Sequence, residues 1–149
     1  MRINRRNFLI GTAASCAALA GASTAQSATR PLPILPMSDL TNGFEDRIAL
    51  KWAASSHDFG TGAASSTFGI NNSYLGPVLR VKQGQTLPFD VTNQIGDFST
   101  IHWHGLHIPG DVDGGPHQLI QPGATWSPDV PIVQRASMSW FHSRAHGKT

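Results

Sequence analysis

The residues in this chain best able to do chemistry are histidines, and their spacing is uneven. Six of the seven lie beyond position 100, and the densest run is Ile101-His102-Trp103-His104-Gly105-Leu106-His107. In an extended strand, residues i and i+2 point to the same face, so His102 and His104 project together while Trp103 points away. In a helix the same two side chains would diverge by about 200°. The spacing therefore makes sense as two ligands offered by one strand. Neutral imidazole suits copper, zinc, iron and nickel, whereas magnesium and calcium demand oxygen ligands. The cluster is poor in carboxylates: Asp111 and Asp113 are nearby, in a loop rich in Gly and Pro where acids serve turns or hydrogen-bond to metal-binding side chains. A single His-x-His pair is also found on strand surfaces with no metal, so the pair needs context.

A second constellation, Trp140-Phe141-His142-Ser143-Arg144-Ala145-His146, again has period two, which could place His142, Arg144 and His146 on one face if the strand continues. His107 and His117 are candidates for supporting a metal site from outside its ligand set, as are Asp113 and His146. Trp52, Trp103, Trp126 and Trp140 are expected in or near the core, and His57 in a loop.

The elements that must position these residues are short. With 15 Gly, 10 Pro and 13% charged residues in 149, the composition favours strands joined by many turns. Candidate strands run over residues 47–53, 66–70, 78–82, 85–93, 99–107, 125–130 and 137–142. Alternation is clearest where Leu87, Phe89 and Val91 are interleaved with Pro88, Asp90 and Thr92. Gly114-Gly115-Pro116 and Gln121-Pro122-Gly123 are turn chemistry. The expected fold is an all-β sandwich of Greek-key type, with residues 47–149 as its domain. Residues 29–46, with three prolines between Pro31 and Pro36, are expected to form an extended linker or arm.

Residues 1–28 form an expected export signal of the twin-arginine type. Arg5-Arg6-Asn7-Phe8-Leu9 is followed by a run of apolar and small residues to Ala20 that is too short to span a bilayer. The protein is thus expected in the periplasm or otherwise exported, with no membrane span after cleavage. The only cysteine, Cys16, lies inside this leader, so the mature domain has no disulfide and no thiolate ligand. Removing the leader takes three arginines from the eleven basic residues and leaves eight against nine acids. A near-neutral chain offers no footprint for nucleic acid.

The ordered set Tyr74-Leu75-Gly76-Pro77, His102-Trp103-His104-Gly105-Leu106, Asp113-Gly114-Gly115-Pro116, Trp140-Phe141-His142 and His146-Gly147-Lys148-Thr149 resembles the first cupredoxin domain of bacterial multicopper oxidases from about Arg47 onward. The resemblance implies a plastocyanin-like fold and an enzyme that passes electrons from a metal-ion or small-molecule reductant to dioxygen, forming water. In that family three cupredoxin domains cooperate, and four His-x-His pairs hold a trinuclear copper cluster, two from the first domain and two from the last. Carried over by motif position, His102 implies a ligand to the type 2 copper, and His104 and His142 imply ligands to the type 3 pair. The remaining ligand position falls on Arg144, where family members have histidine. Arginine offers no lone pair to a metal and keeps its charge, so the copper site implied here is incomplete.

The mononuclear type 1 site needs a thiolate that this domain lacks. The resemblance places it in C-terminal cupredoxin domains, which are the expected partners, and the ending at Lys148-Thr149 reads as an interrupted frame. The fragment by itself is then expected to be inactive as an oxidase. Two alternatives stay open. One is a copper-free periplasmic relative associated with cell division, which Arg144 favours. The other is a stand-alone module that sequesters copper with three histidines and an open position.

Overall fold

Strict alternation makes residues 86–93 the spine of the molecule. In the computed structural model, which describes residues 32–145, Leu87, Phe89, Val91 and Asn93 of this strand are buried and the residues between them are not. The elements in chain order are β1 (Met37–Asp39), β2 (Ile48–His57), β3 (Ser65–Ile70), β4 (Val78–Arg80), β5 (Thr86–Asn93), β6 (His102–His104), β7 (Thr125–Trp126), β8 (Asp129–Pro131) and β9 (Trp140–His142). No helix occurs among the described residues. From Ile34 onward they belong to one unit.

The main sheet runs β3-β2-β5-β7, and β8 also pairs with β5. β2 is antiparallel to β3 and parallel to β5, while β7 and β8 are antiparallel to β5. The small antiparallel ladder β6-β9 is separate from this sheet, and the two meet through their side chains. Phe89 of β5 stacks on Trp103 of β6 with ring centres 4.4 Å apart, and Trp103 lies 5.8 Å from Phe141 of β9. Leu50, Val91, Ile101 and Val130 complete the centre of this core, each essentially without solvent exposure. Full burial of a side chain such as Phe89 contributes roughly 1.5–3 kcal/mol. The sandwich therefore has one layer whose inner face is Trp103 and Phe141, and whose outer face, by the same alternation, carries the histidines.

Charge and hydrogen bonds tie the strand ends. Arg47, just before β2, lies 2.8 Å from Asp90 of β5 and 3.0 Å from Asp129 of β8, and it also donates to the Phe89 carbonyl at 2.7 Å. Asn93 uses its buried amide to hold the crossover after β5, donating to the carbonyls of Asp97 and Ile120 at 2.8 Å each. These bonds satisfy backbone groups that a turn leaves open inside the protein.

The all-β sandwich expected from the sequence is the fold observed, with local corrections. Within the expected arm, Met37–Asp39 forms β1 and pairs in parallel with β4. The expected strand 99–107 is only three residues long, preceded by an isolated bridge between Ser99 and Ile120. Pro128 lies between β7 and β8, where the expected strand 125–130 is broken; its nitrogen has no hydrogen to give a ladder. His57 is the last residue of β2 rather than a loop residue, with Nδ1 3.0 Å from Ser73 Oγ and its ring against Phe59 and Tyr74. The expected leader lies outside the described residues.

Candidate metal centre

The β6-β9 ladder fixes the site by register alone. His102 pairs with His142, Trp103 with Phe141, and His104 with Trp140. Alternation sends Trp103 and Phe141 to the core and leaves His102, His104, Trp140 and His142 on one face. Three of these four are imidazoles, with one nitrogen from each lying within 4.8 Å of the others. Ring centres are 5.4 Å apart for His102 and His104, 5.5 Å for His102 and His142, and 5.4 Å for His104 and His142.

Hydrogen bonds decide which nitrogen two of these rings can offer. His102 Nδ1 lies 2.9 Å from Asp113 Oδ1 and 3.0 Å from the Asp113 carbonyl oxygen. His142 Nδ1 lies 2.6 Å from the Ser143 carbonyl oxygen. A carbonyl only accepts, so both Nδ1 atoms carry the proton and both Nε2 atoms keep a lone pair; the Arg144 guanidinium, 3.5 Å from His102 Nδ1, is then a neighbour of that nitrogen and not a donor to it. His104 Nδ1 then donates to His142 Nε2 at 3.2 Å. Ring nitrogens held this way by a carboxylate or carbonyl are the usual support of imidazole ligands.

Arg144 borders the cluster. Its backbone nitrogen donates to buried Thr100 Oγ1 at 2.9 Å, and its guanidinium lies 3.3 Å from Asp113 Oδ2. One carboxylate thus faces His102 with one oxygen and Arg144 with the other, so the Arg144 charge is paired. The loop that carries Asp113 can come this close because Gly114 follows it. Gly114 has φ of +70°, and a Cβ there would fall on the Ile101 carbonyl oxygen.

The structure brings together His102, His104, His142, Asp113 and Arg144. His107 and His117 are exposed, and no hydrogen bond or ring contact joins them to the three imidazoles among the described residues. His146 lies outside those residues. Trp140, expected in or near the core, is instead 59% exposed and stacked on the histidines, whereas Trp103 is buried and Trp52 and Trp126 pack partly buried against the core. The same period that aligns His142 with Arg144 also aligns it with Trp140, so this correction was within reach of the spacing. Among the described residues no carboxylate joins the three imidazoles as a ligand, and the three fit copper or another borderline divalent metal.

Residues 50–149 match the family described as Multicopper oxidase. That match covers two thirds of the sequence and includes every residue of the centre. The chain belongs to the multicopper oxidase family. This multicopper oxidase chain is 37% identical over 114 residues to the multicopper oxidase mco of Staphylococcus aureus, covering 76% of the chain and 25% of that protein. It is 36% identical over 148 residues to the cell division protein FtsP of Sodalis glossinidius, covering 96% of the chain and 30% of that protein. Among solved structures, the laccase-like multicopper oxidase CueO from Ochrobactrum sp. superposes with a TM-score of 0.71 at 42% identity, over 78% of this chain and 26% of that one. The fold is thus the cupredoxin-like β-sandwich. The chain spans less than a third of the length of these relatives. No helix among the described residues is long and apolar enough to cross a membrane.

Proposed function

We propose that this chain is the N-terminal copper-binding domain of a multicopper oxidase, in which one-electron oxidation of metal ions or phenols is coupled to reduction of dioxygen to water. The observation that carries this reading is the convergence of three imidazoles, two of them with Nδ1 held by acceptors so that Nε2 is left for a metal. In this reading His102 serves the type 2 position, His104 and His142 serve the type 3 pair, and Arg144 stands where a fourth imidazole belongs. Copper, when bound, supplies the one-electron redox chemistry and the affinity for dioxygen.

The chain's own residues prepare that site. Asp113 orients His102 and neutralises Arg144, and the Ser143 carbonyl orients His142. Trp103 and Phe141 anchor the ladder in the core so that the facing side chains stay in register. Further cupredoxin domains are the proposed partners, since Cys16 is the sequence's single cysteine and the domain has no thiolate for a type 1 centre. Export by the twin-arginine route completes the proposal, and replacing Arg5 and Arg6 by Lys is expected to leave precursor in the cytoplasm.

Titration of the purified chain with Cu(II) against a chelator of known affinity tests the function. Expected are a bound species with nitrogen hyperfine structure in its electron paramagnetic resonance spectrum, and its loss in His102→Ala, His104→Ala and His142→Ala. Absence of any such species would favour a second reading, a copper-free protein associated with cell division. Arg144 and the likeness to FtsP support that reading.

A further inference from the structure

The histidine face of the β6-β9 ladder has four corners, and the fourth is Trp140. Its indole lies 4.8 Å from the His104 ring at 25° and 4.5 Å from the His142 ring at 28°, stacked on both. An indole has only a donor N–H and no lone pair, so this corner does not ligate. Burial does not explain its position either, since the residue is 59% exposed while its neighbour Phe141 turns to the core.

The three imidazoles are not held equally. His102 is fixed by Asp113, and His142 by the Ser143 carbonyl. His104 is exposed, and among the described residues the one hydrogen bond of its ring is to His142 Nε2. That acceptor is the same lone pair His142 would give a metal, so ligation by His142 removes the hydrogen bond that His104 has. The terminal torsion of histidine is broad, and a ring without a partner samples it freely.

We infer that Trp140 is a positioning residue for the metal centre, holding the otherwise unanchored His104 ring by stacking. This inference rests on the proposed copper-binding role of the three histidines. Stacking also favours the loaded state, because an imidazole bound to a cation is more electron-poor and the indole face is electron-rich. Trp140 therefore adds to metal affinity without touching the metal, and an aromatic ring of another kind can replace it.

The test compares the whole chain with Trp140→Ala and Trp140→Phe in two measurements. Without added metal, nitrogen-15 spectra of the imidazoles report ring mobility and tautomer. Trp140→Ala is expected to broaden and average the His104 signals and to leave those of His102 unchanged, while Trp140→Phe keeps the wild-type pattern. With Cu(II), Trp140→Ala is expected to lose about five- to tenfold in affinity, the size of one or two aromatic stacks, and to change the copper hyperfine coupling; Trp140→Phe stays within about threefold. Unchanged His104 signals in Trp140→Ala, or a loss in Trp140→Phe equal to that in Trp140→Ala, would overturn the inference. If wild type binds no copper, the proposed function fails, and the metal-free spectra still decide whether Trp140 positions His104.

Discussion

Asp113 meets His102 twice at one nitrogen, through its side-chain oxygen at 2.9 Å and its own carbonyl at 3.0 Å. The doubled contact fixes the tautomer of an imidazole that is partly buried in the cluster. Asp113→Ala removes one acceptor and leaves the Arg144 charge unpaired beside the centre. Copper affinity is expected to fall about 10- to 100-fold, as measured by chelator competition. Asp113→Asn keeps an acceptor for Nδ1 and should fall between wild type and Asp113→Ala.

In the proposed copper site Arg144 takes the place of a fourth imidazole, and Arg144→His would supply one and remove a fixed charge. An affinity gain of at least about tenfold is expected, equivalent to about 1.4 kcal/mol. Equal affinities in the same titration would mean that position 144 does not face the bound metal. The variant is expected to show no oxidase turnover alone, because the domain still has no thiolate copper site.

Gly114→Ala tests how the Asp113 loop is seated. The residue has a left-handed φ of +70°, and its added Cβ would meet backbone of Ile101, which cannot swing aside. A loss of about 2–4 kcal/mol is expected from the combined strain and overlap. Urea unfolding of the two proteins, followed by tryptophan fluorescence, measures it. Copper affinity should fall as well, since Asp113 cannot reach His102 from a displaced loop.

Acid should weaken the fold through Asp90. Its carboxyl is held below the ordinary value of 3.8 by a hydrogen bond from Ser127 and by the Arg47 guanidinium. Above the ordinary value both folded and unfolded chains are ionised there, and the stabilisation is complete. As pH falls the unfolded chain takes up the proton first, and the contribution is lost as the pH drops through the lowered folded value. Asp90→Asn is therefore expected to flatten the loss of stability below about pH 4, seen as a smaller change in urea midpoint between pH 5 and pH 3. An identical slope in both proteins would show that the Arg47 pair makes no pH-dependent contribution.

Most of the fold was legible because its signals are local. Leu87, Phe89 and Val91 alternate within one strand, and Gly and Pro mark the turns around it. What escaped were features set by distant partners. Met37–Asp39 follows a proline-rich stretch and has no pattern of its own; it becomes a strand because Val78–Arg80 offers a free edge about forty residues later. Two of the three imidazoles were visible as His102-x-His104, since period two requires only the strand, and His142 was named through the family resemblance. Asp113 stood out as an acid nearby, but its double contact depends on a loop whose approach is licensed by Gly114. Trp140 was misplaced because a large aromatic residue suggests a core, whereas the pairing with His104 decides which face it occupies. Arg47 carried no sequence signal, because both its carboxylates come from other strands.

The ladder joins segments that are far apart in the chain, with His102 opposite His142. Bringing such distant segments together costs more loop-closure entropy than closing a local turn. An ion offered to the unfolded polypeptide finds His102 and His104 adjacent but His142 far along the chain, so this three-point grip is not yet available. The third imidazole joins them when β9 pairs with β6, and strong retention of metal becomes a sign that this ladder has formed. By mass action the same ion then stabilises the finished fold against reopening. On the proposed twin-arginine route, which carries folded proteins, this ligand geometry would act as a chemical marker of readiness.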